Sequence, residues 1–297
     1  MKESIDDIEL LTANLLCWEQ DWFSANGNET TKAIVGISGG KDSSVVAASL
    51  VKAIGKDRVI GVMMPNGEQK DISDSIRVCE LLGIKNITID ISKGYLPLSD
   101  EITAKLGIEP TPASTTNSPA RARMLTLYDI AGRIGNCRVA NTCNLSEDVL
   151  GYSTFYGDSA GDFAPLRYLT TEEVVALGDN LGLPRELTHK VPSDGMCGKS
   201  DEDNLGFTYK EVNELVREGV AGPNYERILQ KYKASIYKTK IVNIPGYDPY
   251  LPNFLEAKLV RVDVTDMDAE TAIKVITNLR TVYSAAGVAT KALYGER

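Results

Sequence analysis

Apolar positions along the chain follow two rhythms, short β-branched runs and longer stretches at helical spacing. Ile5, Ile8, Leu11, Leu15 and Trp22 lie close to helical spacing, with Leu16 and Trp18 widening the stripe. They predict a helix that ends before the turn signalled by residues 25–28, with a stripe that fits either a core or a face against a second subunit. Residues 33–37 (AIVGI) are too short for a helix and predict a buried strand. Ala47, Ala48, Leu50, Val51 and Ile54 predict a small-residue helix over 45–54, stopped by Gly55. A second strand follows at 58–64 (RVIGVMM), a helix at 71–82 and a third strand at 86–91 (NITIDI). Residues 137–142 (CRVANT) are a fourth strand candidate. Strands alternating with helices argue for an α/β fold with a parallel sheet and crossover helices, in which ligands bind beyond the C-terminal ends of the strands.

The remaining pattern is less regular. A short helix is predicted over 100–106, and another from about 119 to 134, with Asn117 or Ser118 as N-cap and Pro119 just inside. That helix carries Arg121 and Arg123 near its start, where the helix dipole disfavours cations, so each calls for a carboxylate partner or a phosphate ligand. Thr170 or Thr171 opens a helix with Glu172 and Glu173 in its first turn. Gly182, Pro184 and residues 190–205 read as a long loop region, with His189 as a loop residue. Two more helices are predicted at 209–218 and 224–233, then a small basic cluster at 237–240. The tail reads as a strand or mixed segment at 254–264 and a helix at 269–279.

Composition changes this picture mainly by exclusion. The 297 residues are 43% hydrophobic and 25% charged, an ordinary globular balance that fits one large or two modest domains. Lys plus Arg total 32 against 41 Asp plus Glu, a formal net charge of -9, which argues against a broad nucleic-acid-binding surface. The polar, acidic start and the lack of a long apolar run make a cytoplasmic protein with no membrane span the default expectation. Five cysteines, none in a C-x-x-C pair, make disulfide stapling and structural zinc poor explanations. A single histidine leaves little material for a His-based site.

Two segments carry candidate chemistry. Ser38-Gly39-Gly40-Lys41-Asp42-Ser43-Ser44 joins the first predicted strand to the next helix. Adjacent glycines let the backbone approach an anion, N–H groups at a helix start can converge on it, Lys41, Ser43 and Ser44 add donors, and Asp42 can hold a divalent ion. The spacing differs from G-x-x-x-x-G-K-[ST]. It resembles instead the SGG-x-DS loop of ATP pyrophosphatases, which hold the pyrophosphate end of ATP. The second segment, 141–162, places Thr142, Glu147, Asp158 and Asp162 singly among glycines and aromatics beyond the fourth strand. Such carboxylates suit metal-assisted phosphate chemistry, and solvated acids on turns fit the spacing as well.

Taken together with 117–124 (NSPARARM), Gly151-Tyr152, Tyr156-Gly157 and Ser200-Asp201-Glu202 with Gly206 and Tyr209, these motifs resemble ammonia-dependent NAD synthetase over roughly the first 240 residues. The resemblance implies a Rossmann-like, adenine nucleotide alpha hydrolase-like parallel sheet flanked by helices. A synthetase-like domain would occupy 1–240, and 241–297 would be an extension packed on it or on a dimer partner. It also implies attack of the deamido-NAD carboxylate on ATP, release of pyrophosphate and cleavage of the carboxyl-adenylate by ammonia. Asp42 and Glu147 would be Mg²⁺ ligands. Lys41 would neutralise the leaving pyrophosphate, and Thr142 and Ser193 would contact ATP. Arg121 and Asp162 would contact deamido-NAD, Lys238 would be the amine kept from a family His-Lys pair among the nucleotide-binding residues, and Asp158 would position ammonium or take its proton. A homodimer is implied, with free ammonia or a separate donor protein.

Three departures stand out. Phe155 and Thr171 occupy positions where the family has lysines, and Tyr237-Lys238 stands where it has a His-Lys pair. They leave open an alternative acceptor, another carboxylate or oxygen adenylated before amine attack, or contacts rebuilt from Lys190, Lys199, Lys238 or Lys240. Keeping Lys41, Asp42, Glu147 and Asp158 together speaks against a non-catalytic nucleotide-binding protein.

Overall fold

The computed structural model describes residues 7–69, 72–190, 201–241 and 244–249. Four parallel strands, β1 (Lys32–Gly36), β2 (Val59–Met63), β3 (Lys85–Thr88) and β4 (Cys137–Val139), lie in the order β3-β2-β1-β4. Period-two alternation divides their side chains between two cores. Ala33, Val35, Val59 and Met63 belong to one, and Ile34, Ile60, Val62 and Val139 to the other. The first core is covered by α1 (Ile8–Ala25) and α2 (Lys41–Ile54), with α3 (Ile72–Leu82) alongside. The second is covered by α4 (Ser92–Leu106) and α5 (Pro112–Ile134).

The stripe of α1 is core. Leu11, Leu15, Trp18 and Trp22 are all buried, and Trp22 stacks on Phe163 with ring centroids 4.6 Å apart. The start of α5 differs from the expected one. Thr111 is the N-cap, its hydroxyl accepting from the Ser114 amide at 3.2 Å, and Pro112 sits just inside. The chain holds two cap–proline signals, and the earlier one begins the helix. Pro119 is therefore interior and buried, and Asn117 accepts from Thr154 Oγ1 at 2.9 Å instead of capping. Arg121 and Arg123 accordingly lie in mid-helix, so the dipole argument for them lapses.

Beyond β4 the polar segment contains a helix, α6 (Leu145–Leu150), followed by α7 (Thr171–Asn180) and α8 (Arg185–Thr188). Residues 145–150 and 185–188, and 201–205 within the expected loop region, carry no helix signal in the sequence, because helices of four to six residues are too short for apolar periodicity to register. α9 (Asp201–Leu205), α10 (Tyr209–Glu218) and α11 (Tyr225–Ile241) complete the described helices. α11 runs past its expected end, so Tyr237 and Lys238 sit on helix rather than in a separate basic cluster. A third apolar cluster, including Leu150, Leu205, Val212 and Ile228, joins α6 to α9, α10 and α11. Residues 244–249 return to the main body, where Ala164 donates to Pro245 O at 2.8 Å and Tyr247 lies 6.1 Å from Trp18. The expected elements at 254–264 and 269–279 lie outside the described residues.

Candidate active site

Strand order places the site. After β1 the chain runs through β2 and β3 on one side, then crosses to β4 on the other, so the switch point lies between β1 and β4. A crevice opens at the C-terminal ends of such a pair. The glycine loop leaves β1 there, and 140–147 leaves β4 beside it.

In the loop Gly39 has φ +78°, and a Cβ on it would meet Asp74 Cβ at 2.9 Å, so glycine is required on two counts. Gly40 caps α2 without a side chain, leaving the first N–H groups of the helix open to an anion. Ser38 is exposed; its amide donates to Ser43 Oγ at 3.2 Å, and the Gly40 amide donates to Ser38 Oγ at 3.2 Å. Ser44 is fully buried and donates to Gly40 O at 2.7 Å. Its hydroxyl holds the loop.

Lys41 and Asp42 open α2. Lys41 is buried, and its Nζ lies 2.8 Å from Asp42 Oδ2. Burial pulls its pKa down, but the carboxylates of Asp42, Glu147 and Asp201 outweigh that and raise it. Across the switch point, Asn144 connects the two strand ends. Its Nδ2 donates to Asp42 Oδ1 at 3.0 Å, while its side chain and backbone form a capping box with Glu147. Glu147 is thus held at N3 of α6, facing Asp42. Burial first, and the Asp42 charge second, push its carboxyl well above the ordinary range.

Two like charges sharing a site favour a cation between them, and hard oxygen donors fit magnesium. Among the described residues no three Asp, Glu, His or Cys side chains form a metal cage. Two carboxylates suffice where phosphate oxygens and water complete a magnesium shell. Thr142, half-buried, lies just past β4 on the same side.

A second part of the site is the loop 151–162. Gly151 has φ +62°, and a Cβ on it would come within 2.0 Å of Ser235 Cβ, so α11 lies directly against it. From α11, Lys238 Nζ donates to Gly151 O at 2.9 Å and Ser153 O at 2.8 Å. The amine therefore ties the loop down, and burial lowers its pKa while nearby Asp158 opposes that. Asp158 is open to solvent and accepts from the Thr154 amide at 2.9 Å. Surrounding protein raises its carboxyl, to an extent its open position moderates, and the Thr154 amide pulls the other way.

Arg121 is exposed and donates to Phe155 O at 3.1 Å, while Arg123 donates to Met64 O at 3.1 Å. Among the described residues neither makes the carboxylate ion pair that the sequence argument allowed. Asp162 accepts from the Val139 amide at 2.7 Å and Tyr128 hydroxyl at 3.1 Å, beside an open groove of about 430 Å³ along α5 and β4. Phe155 lies 6.1 Å from Tyr237 and 3.9 Å from Tyr156, so two of the three departures touch each other. The third, Thr171, is buried, its amide donating to Ser146 Oγ at 3.1 Å and its hydroxyl beside Asn213. Lys190 pairs with Asp74 at 2.7 Å, near the glycine loop. Ser193 and Lys199 lie outside the described residues.

Sequence reasoning missed Asn144, whose N-cap type three residues before Glu147 was a legible signal. It also assigned no role to Asp201 and Tyr209, which the fold brings to the Lys41–Glu147 region.

The family model described as NAD synthase matches residues 22–243. The chain belongs to the NAD synthase family. The NH(3)-dependent NAD(+) synthetase of Pyrococcus furiosus is 40% identical over 190 residues, covering 64% of this chain and 72% of that protein. Among solved structures, NMN synthetase from Francisella tularensis superposes with a TM-score of 0.71 at 30% identity, over 82% of this chain and 100% of that one. NH3-dependent NAD synthetase from Campylobacter jejuni gives 0.62 at 25%, over 79% and 96%. The NAD synthase fold, a parallel sheet flanked by helices of the adenine nucleotide alpha hydrolase-like kind, is therefore the fold of this chain.

Proposed function

We propose that this NAD synthase family member is an ammonia-dependent ligase that amidates deamido-NAD to NAD, through a carboxyl-adenylate and with release of AMP and pyrophosphate. The observation that carries this reading is the approach of Asp42 and Glu147 through Asn144, at a switch point bordered by a glycine loop. The open N–H groups at the start of α2 bind the leaving phosphates of ATP, and Lys41 neutralises the charge that builds there. Magnesium, held by Asp42 and Glu147, supplies Lewis-acid charge to the phosphates when bound. Lys41 then exchanges its Asp42 contact for a phosphate. Asp158 accepts a proton from the attacking nitrogen as the amide forms. Thr142 and Ser193 border ATP. Arg121, Asp162 and Lys238 shape the acceptor side, Lys238 by holding 151–153.

The same reading includes a cytoplasmic protein, residues 1–240 as the catalytic unit with 241–297 as an extension, and ammonia taken free or from a separate protein. Among the described residues no helix is long and apolar enough to cross a membrane. A homodimer is also part of it, supported by an apolar stripe on α4, where Leu98, Ile102 and Leu106 are 61%, 48% and 65% exposed, and by Leu125 on α5 at 72%.

A second reading keeps the chemistry and changes the acceptor to a nicotinate mononucleotide. Phe155 packed on Tyr237 favours it, because both replace groups that ionise in the family pattern. The Francisella NMN synthetase likeness favours it too. The test is pyrophosphate release from ATP and magnesium with ammonium and each acceptor in turn. Turnover with deamido-NAD supports the first reading, turnover confined to the mononucleotide supports the second, and none with either rejects both.

A further inference from the structure

A hydroxyl at the edge of the carboxylate pair has no use within the described chain. Tyr209 is the first residue of α10, 5% exposed, and its hydroxyl is buried with no hydrogen-bond partner. The residue is held from several sides. Its amide donates to Glu202 Oε1 at 2.8 Å, Thr208 caps the helix behind it, and it shares an apolar cluster with Leu150, Leu205, Phe207 and Val212. The hydroxyl end feels the charges of Glu147, Asp201, Tyr152 and Asp42. A phenol is protonated at neutral pH, so this one is able to donate.

A buried hydroxyl left unpaired is costly, and phenylalanine would fill the same apolar site without that cost. The position therefore points to a partner that arrives with the ligand. None of the three carboxylates is hydrogen-bonded to the hydroxyl, so its proton is not committed to any of them and can be given to an oxygen that arrives with the ligand. We infer that Tyr209 is a positioning residue whose hydroxyl hydrogen-bonds an oxygen of the magnesium–triphosphate complex held between Asp42 and Glu147. That oxygen is either a phosphate oxygen or a water on the metal. The identity of the ligand rests on the adenylating function proposed above; the unpaired hydroxyl is observed independently of it.

The test is Tyr209→Phe, which removes one oxygen and keeps the ring. In the ligand-free protein the variant melts higher, by roughly 2 °C or more, because the unpaired hydroxyl is gone. Binding moves in the opposite direction. Calorimetry with magnesium and a non-hydrolysable ATP analogue shows affinity reduced about tenfold, the loss expected for a hydrogen bond to a charged group. Manganese binding without nucleotide, followed by electron paramagnetic resonance, separates the two oxygens. A matching loss there assigns the partner to a metal-bound water, and a loss seen only with nucleotide assigns it to phosphate.

Unchanged affinity for both probes overturns the inference, as does a lower melting temperature for the ligand-free variant, which would reveal a structural bond. Wild-type protein that binds neither probe overturns this assignment and the adenylating reading together. Wild-type binding that the variant leaves intact overturns this assignment alone.

Discussion

At the scale of single residues, the site is built from groups that satisfy each other until a ligand competes. Asp42 is engaged by Lys41 Nζ at 2.8 Å and by Asn144 Nδ2 at 3.0 Å, so its carboxylate is held from two sides. Asp42→Asn keeps the shape and the Asn144 neighbourhood but removes the charge. Its expected effect is a loss of turnover of roughly 10²-fold or more, with an unchanged circular dichroism spectrum. Full activity in that variant would remove Asp42 from the metal assignment. A second buried acid has no catalytic neighbour. Glu19 is fully buried beneath α2, accepts from Ser49 Oγ at 2.7 Å, and is pushed well above the ordinary range by burial. The folded state therefore keeps a proton that the unfolded chain releases. Its contribution is full below the unfolded pKa and is lost as pH rises toward the folded one, by up to about 1.4 kcal/mol per pH unit. Glu19→Gln, neutral at every pH, should flatten the decline in urea-unfolding stability as pH rises above the ordinary carboxylate range. An unchanged decline would assign the pH dependence to other groups.

At the scale of elements, short helices place the side chains that matter. α6 is six residues long and aims Glu147 through its capping box, and α10 brings Tyr209 to the same region through its own. α7 and α10 are locked by Arg217, which donates to both Glu173 oxygens at 2.6 Å and to Tyr168 O at 2.6 Å, with both side chains nearly buried. Removing one partner strands a buried charge. Arg217→Met should cost about 3–5 kcal/mol in urea unfolding, and a loss below about 1 kcal/mol would show that the pair adds little. The strands and the longer helices of the sheet layers were legible because their apolar periods are long enough to register. α6 and α8 were not, since four to six residues carry no period, and local caps alone mark them. The early start of α5 was ambiguous for a different reason: Thr111-Pro112 and Ser118-Pro119 are equivalent local signals. The choice rests on long-range contacts such as Thr154 to Asn117.

At the scale of the whole molecule, the apolar surface left on α4 and α5 is the feature that remains to be covered. Leu98, Ile102 and Leu106 follow at i, i+4 and i+8, so they form one face, and Leu125 adds to the exposed apolar surface from the next helix. If this face joins two copies, Ile102→Glu with Leu125→Glu should shift the sedimentation of the protein from dimer to monomer, because each buried charge is unpaired at the interface. A dimer that survives both changes would place the contact elsewhere. α1, whose stripe allowed the same role, is excluded because Leu11, Leu15, Trp18 and Trp22 are consumed by the core. Sequence alone determined the parallel α/β sheet and the glycine-bearing strand–loop–helix junction at Ser38–Ser44, because these follow from local period and glycine conformation. Tertiary structure decided which groups meet. The switch between β1 and β4 brings Asp42 to Asn144 across 102 positions of chain, and α11 brings Lys238 onto the 151–153 backbone. It also leaves the Tyr209 hydroxyl buried without a hydrogen-bond partner among the described residues. Such meetings depend on packing between distant segments, and no local pattern in the chain encodes them.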